Sequence, residues 1–187
     1  MPPPDDVELI GGPERREVVI AEADEAWPAR FEEERARIVG ALGPRALRVD
    51  HVGSTSVPGL AAKPIVDIQL SVADVDDEAS FVPALEAAGY VLRVRERTDR
   101  HRMLRTRALD VHLHVCDTGS EWERRHLLLR DWLRRDEADR RAYEALKRRL
   151  ACQEWESVQD YADAKGGLIA EMTARGERWA SGTGWAP

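Results

Sequence analysis

Residues 49–72 read VDHVGSTSVPGLAAKPIVDIQLSV, and this stretch decides the fold. Two apolar runs of β character, Leu47–Val52 and Ile65–Val72, enclose a linker of small residues. The linker opens on Gly53-Ser54-Thr55-Ser56 and closes on Lys63 and Pro64. Asp67 lies inside the second run. Ile65, Asp67 and Gln69 share one face of that strand, while Val66, Ile68 and Leu70 share the other. A carboxylate among so many apolar residues needs a partner, because burying it unpaired is costly. A metal ion or an arginine could supply one; a structural Asp bonded to backbone is the plainer reading. Gly53 permits positive φ and a close backbone approach, and the hydroxyls after it could cradle an anion. A simple tight turn is the alternative.

Working outward, Trp27-Pro28 followed by Phe31, Ile38 and Leu42 predicts an amphipathic helix over 26–42, ended by Gly43-Pro44. Glu17–Glu22 reads as a short strand. Asp74–Asp77 is a turn before a helix over 78–88, stopped by Gly89. Strands follow at 90–94, 102–107 and 109–115, the last alternating polar and apolar. Helices are expected at 120–134, with a capping-box-like Ser120-x-x-Glu123, at 137–151, and from 157 or 160 to about 179. Gly166-Gly167 should kink or break the last one. Strands with one intercalated helix precede a helical block. The class is therefore α+β, with a mixed or antiparallel sheet flanked by helices and a C-terminal helical block. Residues 1–16 read as a loose tail. Residues 17–180 form a single domain, with 17–116 mainly sheet core and 118–180 helical, and 181–187 form a second tail.

The chain has 187 residues and 43% apolar content, enough for one sizeable core. Its net charge is −7, from 35 acidic and 28 basic side chains, which argues against general nucleic-acid binding. Cys116 and Cys152 have no metal-motif spacing and point to a reducing compartment. The start, MPPPDDVELIGGP, has neither the basic nor the apolar region of a signal peptide. No run approaches the roughly 18 apolar residues of a membrane span. The expectation is a cytoplasmic protein without a membrane partner.

Asp110, His112 and His114 share one face of the 109–115 strand. End to end they span about 13 Å, so the three cannot all bind one ion directly; two neighbours could, with help from elsewhere. Histidines bonded into the core or surface are the plainer reading. Arg100, His101, Arg102 and Arg105 precede that strand and read either as phosphate contacts or as a solvated basic face. Lys63, beside the Gly-Ser loop, is the better phosphate candidate. Cys116 reads as a packing residue or a partly exposed thiol. The tryptophans of the helical block read as packing.

Gly53-Ser54, twelve residues, then Asp67-Ile68-Gln69-Leu70 resembles the nucleotidyltransferase signature of polymerase-β-type enzymes. That resemblance implies phosphate contacts by Gly53 and Ser54; Thr55, Lys63 and Arg102 stand beside them as further candidate ligand contacts read from the residues themselves. It makes Asp67 the first metal carboxylate. Gln69 stands where a second carboxylate belongs, and Asp110 or His112 would fill the third place. A neutral amide is a far weaker Mg²⁺ ligand than a carboxylate.

A closer resemblance is to the GrpB family, a branch of that superfamily. HVGSTSVPGLAAKPIVDI, His51 to Ile68, is similar to its hallmark almost residue for residue. Trp27, Phe31 and Glu34 upstream, the HLHV of 112–115, Leu129-Arg130-Asp131-Trp132-Leu133-Arg134, Tyr143 and Leu146-Lys147 extend it over about 20–175. The resemblance implies a nucleotidyltransferase-like fold; some members are fused to dephospho-CoA kinase. The expected function is binding of a nucleoside triphosphate or other phosphate-bearing small molecule with Mg²⁺ or Mn²⁺. Nucleotidyl transfer to a small-molecule or protein acceptor would follow, with Asp67, His112 and Asp110 catalytic and Asp67, Gln69, His112 and His114 around the metal. The alternatives are a non-catalytic ligand-binding module on the same fold and a phosphate-directed enzyme using a His/Asp transition-metal site.

Overall fold

The computed structural model describes residues 6–13 and 17–187, the side chain of Val158 excepted. Its centre is one six-stranded sheet. The strands are β1 (Val7–Leu9), β2 (Arg48–Val52), β3 (Val66–Val72), β4 (Tyr90–Glu96), β5 (His101–Thr106) and β6 (Val111–Asp117). Their spatial order is β1-β4-β5-β6-β3-β2. Only β3 and β6 run parallel; every other neighbouring pair is antiparallel. The expected α+β class, mixed sheet and C-terminal helical block are present. Among the described residues, no helix is long and apolar enough to cross a membrane.

The alternation along β3 and β6 separates two chemistries. Val66, Ile68 and Leu70 of β3 and Val111, Leu113 and Val115 of β6 form one core with α1 (Ala26–Leu42) and α2 (Val82–Ala87). Ile68, Leu113 and Val115 have no exposed surface. Burying one such aliphatic side chain stabilises by about 1.5–3 kcal/mol, so the six fix the register of the β3–β6 pair. A one-residue slip would turn Asp67 and both histidines into that core.

The other face carries Asp67, Gln69 and Ser71 of β3 and His112, His114 and Cys116 of β6. α3 (Glu121–Arg135) covers part of it through Trp122 and Glu123. Ser120 caps α3 by accepting a bond from the Glu123 amide at 3.2 Å. The Glu123 carboxylate instead takes Ser71 Oγ at 2.7 Å and the Gly119 amide, tying the helix start to β3. α4 (Glu137–Ala151) and α6 (Gly166–Thr183) pack alongside. Asp139 binds them together, accepting from Trp132 Nε1 at 2.7 Å and from both prongs of Arg175.

The linker after β2 is held by this helical block. Val57 and Leu60 are buried against Leu133, Tyr143 and Met172. The break expected near Gly166-Gly167 is present: α5 (Val158–Asp163), started by a Ser157/Asp160 capping box, stops just before α6.

Three stretches differ from expectation. Val7–Leu9, placed in the loose tail by its Pro- and Gly-rich surroundings, pairs with Val94–Glu96 as an edge strand. The rest of that tail, 1–5 and 14–16, lies outside the described residues. In the C-terminal tail, Trp185 donates to Asp131 Oδ2 at 3.1 Å. The expected strand at 17–22 is reduced to one bridge, Ala21 to Ala62.

Candidate functional site

The parallel register sets Asp67 beside His112 and Gln69 beside His114. Asp67 Oδ1 lies 3.3 Å from His112 Nδ1 and 3.6 Å from His114 Nε2. One ligand atom from each of the three residues lies within 4.8 Å of the others. Each side chain is roughly a quarter exposed, so the cluster opens to solvent. Burial would raise the Asp67 carboxyl, but the neighbouring His112 and His114 outweigh it and hold it well below the usual carboxylate range. An ionised carboxylate and two imidazoles at this spacing could hold one divalent ion. Imidazole suits Zn²⁺, Fe²⁺ or Ni²⁺ better than Mg²⁺, which prefers oxygen ligands.

The Gly-Ser turn closes over this cluster. Gly53 has φ +67° and ψ −170°, a conformation nearly restricted to glycine. A Cβ there would meet Asp67 Cβ at 2.9 Å. Sequence order thus places the Ser54 turn directly against the carboxylate. The Ser54 side chain reaches the Tyr143 hydroxyl. His51 is stacked on Phe31 with centroids 4.9 Å apart, and its Nε2 is 2.9 Å from Thr55 Oγ1. Burial, aided by Arg134 and Arg130, pushes its imidazole down to about 4, against the pull of Asp67. It is therefore neutral at pH 7. Assigning its proton to Nε2 lets Thr55 accept it and donate onward to the Ile65 carbonyl at 3.3 Å.

Three lysines gather on the helical side. Lys147 is almost fully buried and donates to the Ala61 carbonyl. Burial and the charge of Lys165 push its amine down to about 7. Lys165 is held down at about 8 by burial and by Lys63. Lys63 and Lys165 both lie over the Tyr161 ring, at 5.2 and 4.6 Å. Tyr161 is buried and its hydroxyl has no hydrogen-bond partner among the described residues. Asp67 acts electrostatically on both Lys147 and Lys165, pulling their amines up against the effect of burial.

The expected site residues thus divide. Asp67, His112, His114, Gly53 and Ser54 come together, while Lys63 lies over the Tyr161 ring beside Lys165. Gln69 lies on the same face but is wholly buried, with neither amide atom bonded. Thr55 spends its hydroxyl on His51 and Ile65, so it is a brace for the turn. Asp110 is drawn away from the metal cluster: Arg30 of α1 holds it at 3.2 Å and Thr106 at 2.6 Å. It precedes β6, so the strand alternation does not extend to it. Arg102 is also elsewhere. It is buried on the α2 side, bonded to Glu78 at 2.6 Å and Asp76 at 2.7 Å. Arg100 is likewise tied to Asp74, Asp76 and Asp117. These two arginines serve internal ion pairs because an acidic turn, 74–78, folds against them. A groove of about 480 Å³ runs between Pro58 and α4, but its Arg148 is paired with Glu22 and Glu144 and its Arg141 with Glu137.

Lys147, Lys165 and Tyr161 were hidden from sequence reading, because they sit far along the chain, on two helices and the turn before α6, with ordinary spacing. Lys147 had one signal, its place in the Leu146-Lys147 pair shared with the family pattern. Trp122 is more than packing. It stacks between His101, at 4.5 Å, and His126, at 3.6 Å.

The architecture defines an α+β protein carrying a His/Asp centre and a glycine turn on one face of a mixed sheet. The chain belongs to the GrpB family: the family's profile, described as GrpB protein, matches residues 17–175. It is 48% identical over 169 residues to a UPF0157 protein of Streptomyces coelicolor, covering 90% of this chain and 89% of that one. The crystal structure of conserved protein GrpB from Enterococcus faecalis superposes with a TM-score of 0.74 at 29% identity, over 86% of this chain and 99% of that one. A dephospho-CoA kinase of Mycolicibacterium paratuberculosis is 32% identical over 200 residues, covering 92% of this chain and 49% of the kinase.

Proposed function

We propose that this chain is a metal-dependent enzyme acting on a phosphate-bearing small molecule at the Asp67/His112/His114 cluster. The convergence of one carboxylate and two imidazoles across the β3–β6 pair is the observation that carries the reading. Asp67, His112 and His114 would hold a divalent transition ion. Such an ion supplies Lewis-acid polarisation of a phosphoryl oxygen and a more acidic bound water. The chain's own residues would do the rest. Lys63, Lys147 and Lys165 would bind phosphate oxygens, and the incoming anion would draw a proton onto Lys147. The Tyr161 hydroxyl would donate to the same group. Ser54 and the backbone of its turn would border the ligand next to Asp67.

The proximity of the Gly53-Ser54 turn to Asp67 favours a second reading, nucleotidyl transfer from a nucleoside triphosphate with Mg²⁺ or Mn²⁺. The match to part of a dephospho-CoA kinase supports nucleotide-related chemistry in the same general way. Both readings meet one assay. The protein is incubated with nucleoside triphosphates and with simple phosphomonoesters, each with Zn²⁺, Mn²⁺ or Mg²⁺. Phosphate release from an ester with Zn²⁺ or Mn²⁺, lost in Asp67→Asn and His112→Ala, supports the first reading. Pyrophosphate release with Mg²⁺, lost in Asp67→Asn, supports the second. Turnover that survives Asp67→Asn contradicts both.

A further inference from the structure

A row of side chains crosses the sheet from Asp67 on β3 to Glu96 on β4 along the same face. His114 Nδ1 lies 3.0 Å from His101 Nε2, and His101 Nδ1 lies 2.7 Å from Glu96 Oε2. Strand pairing sets these positions, with His101 opposite Glu96 on β4 and opposite Cys116 on β6. Trp122 stacks on His101 with planes 12° apart and holds the ring in orientation. His101 is 5% exposed, so bulk water offers it little alternative partnership.

We propose that Glu96 and His101 set the tautomer of His114, so that Nε2 is the bare nitrogen offered toward Asp67. The assignment follows from donor counting. A carboxylate only accepts, so His101 must carry its proton on Nδ1. In a neutral ring, Nε2 of His101 is then an acceptor. His114 must supply the proton of the 3.0 Å contact from its own Nδ1. The lone pair of His114 is therefore on Nε2. That atom stands 3.6 Å from Asp67 Oδ1, beyond hydrogen-bond range, as expected where neither atom has a proton for the other. Metal-binding histidines commonly have their second nitrogen fixed in this way. Here the fixing group is a second histidine with its own carboxylate. Glu96 and His101 are thus positioning residues; they touch no ligand themselves. The tautomer rests on the 2.7 and 3.0 Å contacts together with a neutral His101 ring, while its consequence for metal binding rests on the reading proposed above.

Uniformly ¹⁵N-labelled protein without metal, at pH 8, separates the two claims. Long-range ¹H–¹⁵N correlation should show His101 and His114 both protonated at Nδ1. Glu96→Leu removes the acceptor of the His101 Nδ1 proton, and both rings should lose their preference for the Nδ1–H form. Zn²⁺ affinity of that variant should fall by roughly 10–100-fold, the usual loss when an outer partner is removed. His101→Phe removes the acceptor altogether and should release His114 from its Nδ1–H form while leaving Asp67 and His112 in place. A His114 ring protonated at Nε2 in the unaltered protein overturns the proposal, as does a Glu96→Leu spectrum with both tautomers unchanged. If the tautomers behave as expected and the unaltered protein binds no Zn²⁺, the positioning stands and the metal reading falls.

Discussion

Gly53 and Asp67 are in contact across the β2–β3 pair so closely that no side chain fits between them. A Cβ on Gly53 would lie 2.9 Å from Asp67 Cβ, and the glycine φ of +67° is unfavourable to any L-residue. Gly53→Ala should therefore cost about 1–3 kcal/mol from backbone strain alone and also push Asp67 out of line with the histidines. Urea denaturation checks the first effect. Divalent-ion binding by the folded fraction checks the second. A variant with unchanged stability and binding would show that the turn does not brace the carboxylate.

Arg102 is predicted to serve stability and not the ligand. Its guanidinium is buried against Glu78 and Asp76, the latter half exposed. Arg102→Met should lower stability by roughly 2–3 kcal/mol, less than the loss from a wholly buried pair, because Asp76 can recover water. Metal and phosphate affinity of the folded variant should stay as they were. A selective loss of phosphate binding would restore the reading of Arg100, Arg102 and Arg105 as phosphate contacts.

Lys147 gives a pH dependence. Its folded amine is down at about 7 against an ordinary 10.5. Between those values the unfolded chain binds the proton and the folded chain does not, so stability rises with pH from 7 to 10.5. Lys165, lowered to about 8, adds slope in the same direction. Lys147→Met should stabilise the protein most at or below pH 7, with the gain fading towards pH 10, while weakening phosphate binding. Thermal unfolding across pH 6–10 measures it. An unchanged slope would show that the amine is not buried as described.

Asp110 should be dispensable for the metal cluster. Its partners are Arg30 and Thr106, which join α1 to the turn before β6. Asp110→Asn should leave divalent-ion affinity within a factor of two and reduce stability modestly. A large loss of affinity would return Asp110 to the site.

The course of the chain was largely readable from residues 49–72 and from capping signals. Alternation in 65–72 and 109–115 identified β3 and β6, and Trp27-Pro28 marked the start of α1. Periodicity could not say that β3 and β6 are neighbours. That pairing is a tertiary choice, made by burying Val66, Ile68 and Leu70 with Val111, Leu113 and Val115. It turns Asp67 and two histidines 45 and 47 positions later into one cluster. Asp110 and Arg102 misled because an alternating pattern names a face but not the ion pair that claims the side chain. Val7–Leu9 misled because an edge strand this short draws its stability from Val94–Glu96, not from its own composition.

The most direct test is a calorimetric titration of the metal-free protein with Zn²⁺ or Co²⁺. The account predicts one ion per chain, bound at least 100-fold more weakly after Asp67→Asn, His112→Ala or His114→Ala, and unaffected by Asp110→Asn. No binding by the unaltered protein, or binding that survives all three substitutions, would contradict it.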